Sequence, residues 1–403
     1  MFTLFNILAL LYIFRSVQLV ITIAREWSSF TSEPLTPRSK SLADQASFFV
    51  AVPIAVFVHE LAHALAVIAF GGEVAEFNYR VFWGYVVPRG SFTDAQMWVI
   101  AIAGTIGSLL VGLLLWLWLR NAKASSVRYF ALRALRFQIY FSLIYYPLFT
   151  LLGFDGDWRT IYNFATTPLL SAVTMVLHIA ILYAFWRFDR QGWFEAPAFA
   201  SIAAQEQFEQ LSAVAAANPQ DIGLQLQRID MLRRGGATHK ARYELDRLAK
   251  DHPESGLVQL ERAALLVSGK ESATSASAQA AQSALDLGLA TPQQQAFALE
   301  LIGQYKSERG QLQEAASSYG QAIELISGDA TQGGPAATID LLIRRSQVYR
   351  RLGQYEAAYS DLQQALTLAQ RNNDPAAAGR VRSESEILAK NAGQPYLAIP
   401  AEL

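Results

Sequence analysis

The sequence predicts an all-α protein in two parts: a polytopic helical membrane domain over residues 1–199, with one small membrane-surface β-hairpin, then a soluble α-solenoid of helical hairpins over 200–403. Three observations carry this. All eight Trp precede Phe194, and beyond residue 200 only Phe208 and Phe297 remain of the 23 Phe. Residues 1–199 hold 14 Lys+Arg and 11 Asp+Glu, gathered at the edges of long apolar stretches instead of alternating at amphipathic spacing. The second half turns to Ala, Gln, Leu, Ser and Glu, with helical periodicity and no strand-like alternation. A net charge of −1 argues against a nucleic-acid partner. With no Cys, disulfides, thiolate zinc sites, iron–sulfur clusters and thiol nucleophiles are excluded, so any metal must be held by His and carboxylate.

About five spans are expected in the first half. Met1–Ala24, interrupted by Arg15, reads as a retained helix, because it lacks the basic leader and small-residue cleavage site of a signal peptide. Gln45–Phe70 is a further long stretch but carries His59, Glu60 and His63 near its middle. Glu73–Gly90 is rich in Phe, Tyr, Val and Trp and contains Pro88, the composition of a short hairpin lying on or dipping into the membrane surface. Ala95–Leu119 has 25 residues and no charge, enough to cross roughly 30 Å of hydrocarbon at about 1.5 Å per residue. Phe137–Phe154 and Thr160–Trp186 complete the set, the last broken only by His178. That His could contact a metal or a substrate, but a lone imidazole turned toward neighbouring helices reads first as structural. With five spans, one face receives Arg25, Arg38, Lys40, Arg120, Lys123, Arg128, Arg187 and Arg190 and the other only Arg80, Arg89 and Arg159, which places the repeat domain in the cytoplasm.

In the second half Gly310, Ala315, Tyr319 and Ala322 recur as Gly353, Ala358, Leu362 and Ala365, each 43 residues on, and Gly236, Ala241, Leu245, Leu248 and Pro253 keep the same internal spacing. Small Ala at fixed points lets the two helices of a hairpin approach, and Gly allows the turn between them. These segments resemble tetratricopeptide repeats, with an inserted loop at Gly328–Ala337 and a degenerate or broken stretch at Ser268–Ala284. Three to five hairpins are expected over residues 203–392, a surface for a protein or peptide partner with no catalytic residue of its own.

His59-Glu60-Leu61-Ala62-His63 places two imidazoles at i and i+4 on one helix face, where both reach a single metal ion. Glu60 is placed to take a proton from a water activated there and pass it to a leaving amine. Three ionisable groups inside an apolar helix, each costing at least about 2.5 kcal/mol near the bilayer centre, need a compensating partner such as a divalent cation. For a third ligand, Glu73 and Glu76 lie too close in sequence to fold back. Asp155, in Leu152-Gly153-Phe154-Asp155-Gly156-Asp157, is preferred because Gly156 would let the chain turn and point that carboxylate inward, and Asp157 is its rival.

Phe57–Gly72, Ala103–Leu110 (AGTIGSLL) and Phe154-Asp155-Gly156 together resemble the site-2 protease family of intramembrane zinc metallopeptidases, over roughly residues 45–165. The resemblance implies a Zn2+ ion held by His59, His63 and Asp155, Glu60 as catalytic base, and membrane-spanning protein substrates. The chain departs from the family pattern at Thr105 and Ser108, where Pro and Asn are usual, at Tyr146-Pro147 in place of Asn-Pro, and at Phe154 in place of Leu. Pro147 would also free the Leu143 carbonyl and bend its helix. The expected activity is therefore a zinc metalloendopeptidase. A catalytically inactive membrane scaffold using the repeat domain is the alternative.

Overall fold

The computed structural model describes residues 2–267, 273–327 and 334–400. It divides into two compact units: residues up to Pro219 together with Gln227–Tyr243, and Gln220–Leu226 together with Glu244–Leu403. The compositional boundary at 199/200 falls inside the first unit, which also takes in the helix Ile202–Ala217.

The first unit opens with α1 (Phe2–Arg25), whose Leu10, Leu11, Phe14 and Val17 face outward, and α2 (Trp27–Thr31). α3 (Pro37–Phe49) starts on a reciprocal Thr36/Ser39 capping box and runs through Val50 into α4 (Ala51–Ala69). The expected hairpin follows as β1 (Glu73–Tyr79) and β2 (Gly84–Arg89), antiparallel from Glu73↔Arg89 to Tyr79↔Gly84, with an irregularity between Val74 and Glu76. α5 (Asp94–Leu119) begins on a second capping box, Thr93/Gln96, and packs along α4.

Among the described residues three helices are long and apolar enough to cross a membrane: Pro37–Ala69, Asp94–Leu119 and Pro168–Arg190. The expected span at Phe137–Phe154 is corrected. The helix there starts earlier, as α6 (Ser125–Tyr140), loosens into a π-helical turn at Phe141–Tyr145, and ends as α7 (Tyr146–Leu151). Its first half is charged. Arg133 Nε pairs with Asp44 Oδ1 at 2.5 Å, and Arg136 Nε and Nη2 grip the Asp189 carboxylate at 2.6 and 3.1 Å. The run Thr160–Trp186 is likewise divided, into a short α8 (Trp158–Ile161) and the long α9 (Pro168–Arg190).

The π turn has an identifiable cause. Pro147 has no N–H to give the Leu143 carbonyl four residues back, and that carbonyl accepts instead from His178 Nε2 on α9 at 2.7 Å. The other ring nitrogen of His178 lies 2.6 Å from the Tyr162 hydroxyl, and Trp158 packs against its ring. His178 is thus a structural residue that satisfies buried backbone polarity.

The chain continues as α10 (Ile202–Ala217), α11 (Ile222–Arg234) and α12 (Thr238–Asp251), then α13 (Gly256–Val267) and α14 (Ser275–Leu287). α15 (Pro292–Glu308), α16 (Leu312–Ile326), α17 (Gly334–Arg351), α18 (Tyr355–Arg371) and α19 (Pro375–Ala392) complete a helical-hairpin array. Gly310 and Gly353 turn α15 into α16 and α17 into α18 with φ of +79° and +75°, values that only Gly adopts without strain. Ala315, Ala322, Ala358 and Ala365 are fully buried where the paired helices meet, beside Tyr319 and Leu362. Two expectations narrow. Ser275–Ala284 is helical, capped by Thr274 and Ser277, which fits the degenerate-repeat alternative for that part of the stretch. Of the loop expected at Gly328–Ala337, Gly334–Ala337 is the first turn of α17, while 328–333, like 268–272, lie outside the described residues.

Candidate metal centre

α4 positions the first three groups. His59 and His63 stand one turn apart with ring centroids 4.6 Å apart and planes at 84°. Each is held by its Nδ1. His63 Nδ1 donates to the Ile100 carbonyl of α5 at 2.7 Å, and His59 Nδ1 lies 3.2 Å from Ser108 Oγ of the same helix. With Nδ1 committed, Nε2 is the nitrogen that faces Asp157 in each ring and that a bound cation would take. Ser108, one of the departures from the family pattern, is therefore the residue that orients His59.

Both Nε2 atoms converge on Asp157. Its Oδ2 lies 3.0 Å from His59 Nε2 and 3.1 Å from His63 Nε2. The ligand atoms of His59, His63 and Asp157 all lie within 4.8 Å of one another. Asp155, the preferred third ligand, lies apart from that group: its side chain is 96% exposed and pairs with Arg159 Nη1 at 2.5 Å, one helical turn on. The physical reason is the chain environment on the C-terminal side of each carboxylate. Asp157 precedes Trp158, which is buried with Ile161 against Ala101 and Leu143 and so anchors α8 in the core. Asp155 sits in the coil before that anchor. The sequence signal was the aromatic after Asp157, together with the i,i+4 spacing that commits Asp155 to Arg159. Glu73 and Glu76 stay on the exposed hairpin, where Glu76 accepts from the Tyr85 hydroxyl at 2.5 Å.

Burial alone would raise the Asp157 carboxyl, but hydrogen bonds from His59 and His63 outweigh it and hold the group below the ordinary carboxylate range. Glu60 is 4% exposed and lies under the hairpin: a Cβ added at Gly84 would fall 2.7 Å from Glu60 Cγ and 2.8 Å from its Oε1. Space beside the imidazoles is equally specified. A Cβ at Gly104 of α5 would fall 2.3 Å from His63 Nε2 and 2.6 Å from His59 Nε2. Two imidazole nitrogens and one carboxylate, packed against a glycine, are a donor set that could hold a metal ion.

Residues 44–205 match the family model of M50B-like peptidases, and residues 339–372, across α17 and α18, match a tetratricopeptide repeat. No curated protein matches the chain.

Proposed function

Because its membrane half carries an M50B-like peptidase domain and its C-terminal half a tetratricopeptide repeat, we propose that this protein is a zinc-dependent intramembrane endopeptidase. In this reading it cleaves membrane-associated protein substrates, and the repeats dock a substrate or regulator. The observation that carries it is the convergence of His59, His63 and Asp157 beside a buried Glu60.

His59 and His63 would hold Zn2+ through Nε2, and Asp157 through Oδ2. Bound there, zinc supplies Lewis acidity, polarising a carbonyl and making water acidic enough to deprotonate near neutral pH. Glu60 takes the proton of the water that attacks the scissile carbonyl and returns it to the amine nitrogen as the C–N bond breaks. The hairpin over Glu60 limits bulk water at the base. A helical substrate must unwind locally before reaching these groups, since a hydrogen-bonded helix engages its own carbonyls.

The test is zinc content per polypeptide in detergent-purified wild type, His63→Ala, Asp157→Ala and Asp155→Ala, with circular dichroism to confirm folding. About one zinc per chain is expected in wild type and in Asp155→Ala, with loss in the other two. A folded wild type that binds no zinc would overturn the reading in favour of the inactive scaffold. Loss in Asp155→Ala with retention in Asp157→Ala would return the third ligand to Asp155.

A further inference from the structure

Each histidine ligand has an outer partner, Ser108 for His59 and the Ile100 carbonyl for His63. Asp157 has one too. The Tyr146 hydroxyl donates to Asp157 Oδ2 at 2.9 Å, the same oxygen that meets both imidazoles, and accepts from the Asp157 backbone N–H at 3.1 Å. Its ring stands edge-on to His59, with centroids 5.6 Å apart and planes at 67°. One side chain therefore fixes the carboxylate, the backbone that carries it, and the flank of a neighbouring ligand. We propose that Tyr146 is a positioning residue of the metal centre, orienting Asp157 so that the carboxylate and both imidazoles address one cation.

The need for such a residue comes from the local chain. Asp157 lies at the start of a four-residue helix and comes after the coil that leads out of α7, so no regular hydrogen-bond ladder precedes it. A carboxylate on such a turn has rotational freedom that an outer hydrogen bond removes. Tyr146 itself is placed firmly. It is the first residue of α7, directly after the π turn, and the Leu143 carbonyl in that turn is tied to His178 of α9. The approach of the coil to the tyrosine is also specified: a Cβ at Gly156 would fall 2.9 Å from Tyr146 Cε2 and 3.1 Å from its hydroxyl. Tyr146 stands where the family pattern has Asn, so this chain fills that position with a group that acts on its own ligand carboxylate.

The inference rests on Asp157 being a zinc ligand, and the experiment separates the two claims. Tyr146→Phe removes one oxygen and keeps the ring. Folded by circular dichroism, it is expected to bind zinc about 10–100-fold more weakly than wild type in competition with a chelator. With cobalt(II) in place of zinc, its visible absorption should shift, because the carboxylate reorients, and saturating zinc should bring cleavage back toward wild type. Gly156→Ala, which pushes the loop off Tyr146, should weaken zinc binding in the same direction. Unchanged zinc affinity and an unchanged cobalt spectrum in Tyr146→Phe would overturn the inference, even if its melting temperature fell. Full affinity with lost cleavage would overturn it too, assigning the hydroxyl to substrate. Asp157→Ala is measured alongside: zinc retained there defeats the ligand assignment itself, whereas zinc lost there with Tyr146→Phe unaffected defeats only the role of the tyrosine.

Discussion

Glutamine at position 60 is expected to leave zinc bound and to lower cleavage by about 10²–10⁴-fold, the contribution of a positioned general base. The hydrogen bonds that join His59 and His63 to Asp157 do not pass through Glu60, so its charge is not needed to assemble the ligand set. Gln has the same shape as Glu, so the close seat of Gly84 over the side chain is kept. Burying a neutral amide also costs less than burying a carboxylate. Zinc content and turnover of a candidate membrane-protein substrate, measured on one preparation, check both halves. Turnover at the wild-type rate in Glu60→Gln would remove Glu60 from the mechanism.

Gly104→Ala should produce a comparably large loss by the opposite route, emptying the metal site while the base stays intact. The added methyl would overlap His63 Nε2 at 2.3 Å and His59 Nε2 at 2.6 Å, closer than any real carbon approaches, and the side chains that must yield are the proposed ligands. Overpacking elsewhere in a helix interface costs about 1–3 kcal/mol and is often absorbed by small shifts. Here a shift of either ring moves a donor atom. Zinc affinity is expected to fall about 100-fold, the upper end for loss of ligand orientation, with helical content unchanged. Wild-type zinc affinity in Gly104→Ala would mean that the imidazoles sit elsewhere when the metal is bound.

The two histidines and Glu60 were legible in the sequence because their relation is local: i,i+4 on one helix fixes the shared face whatever the rest of the chain does. Which carboxylate meets the two imidazoles was not, because the choice between Asp155 and Asp157 depends on a turn and on where Trp158 finds its core, against residues such as Ala101 that are distant in sequence. Ser108 and Tyr146 stand out in the sequence only as departures from a pattern, since their value lies in partners on other elements. The hairpin arms of the repeat array were legible from Gly and Ala spacing, which states directly where helices turn and touch. The start of α17 is hidden because Gly334-Pro335 looks like a loop, yet Pro in the first helical turn gives up only an N–H that has no partner there. The fourth apolar segment misleads for a related reason. Its helix begins at Ser125 and carries Arg133 and Arg136, whose charges are neutralised by Asp44 and Asp189, and no local window contains those partners.

The π turn at Phe141–Tyr145 sets an angular phase. In an α-helix each residue advances the side-chain direction by about 100°, whereas a turn holding one extra residue resets the count for everything after it. Tyr146, Pro147 and, through the coil beyond them, Asp157 are turned toward His59 and His63 by that single surplus residue. Wound as an unbroken α-helix, the same residues would swing Tyr146 about a quarter of a circle or more away from His59. The centre is thus built by composition on α4 and by counting on the helix that leads to Asp157.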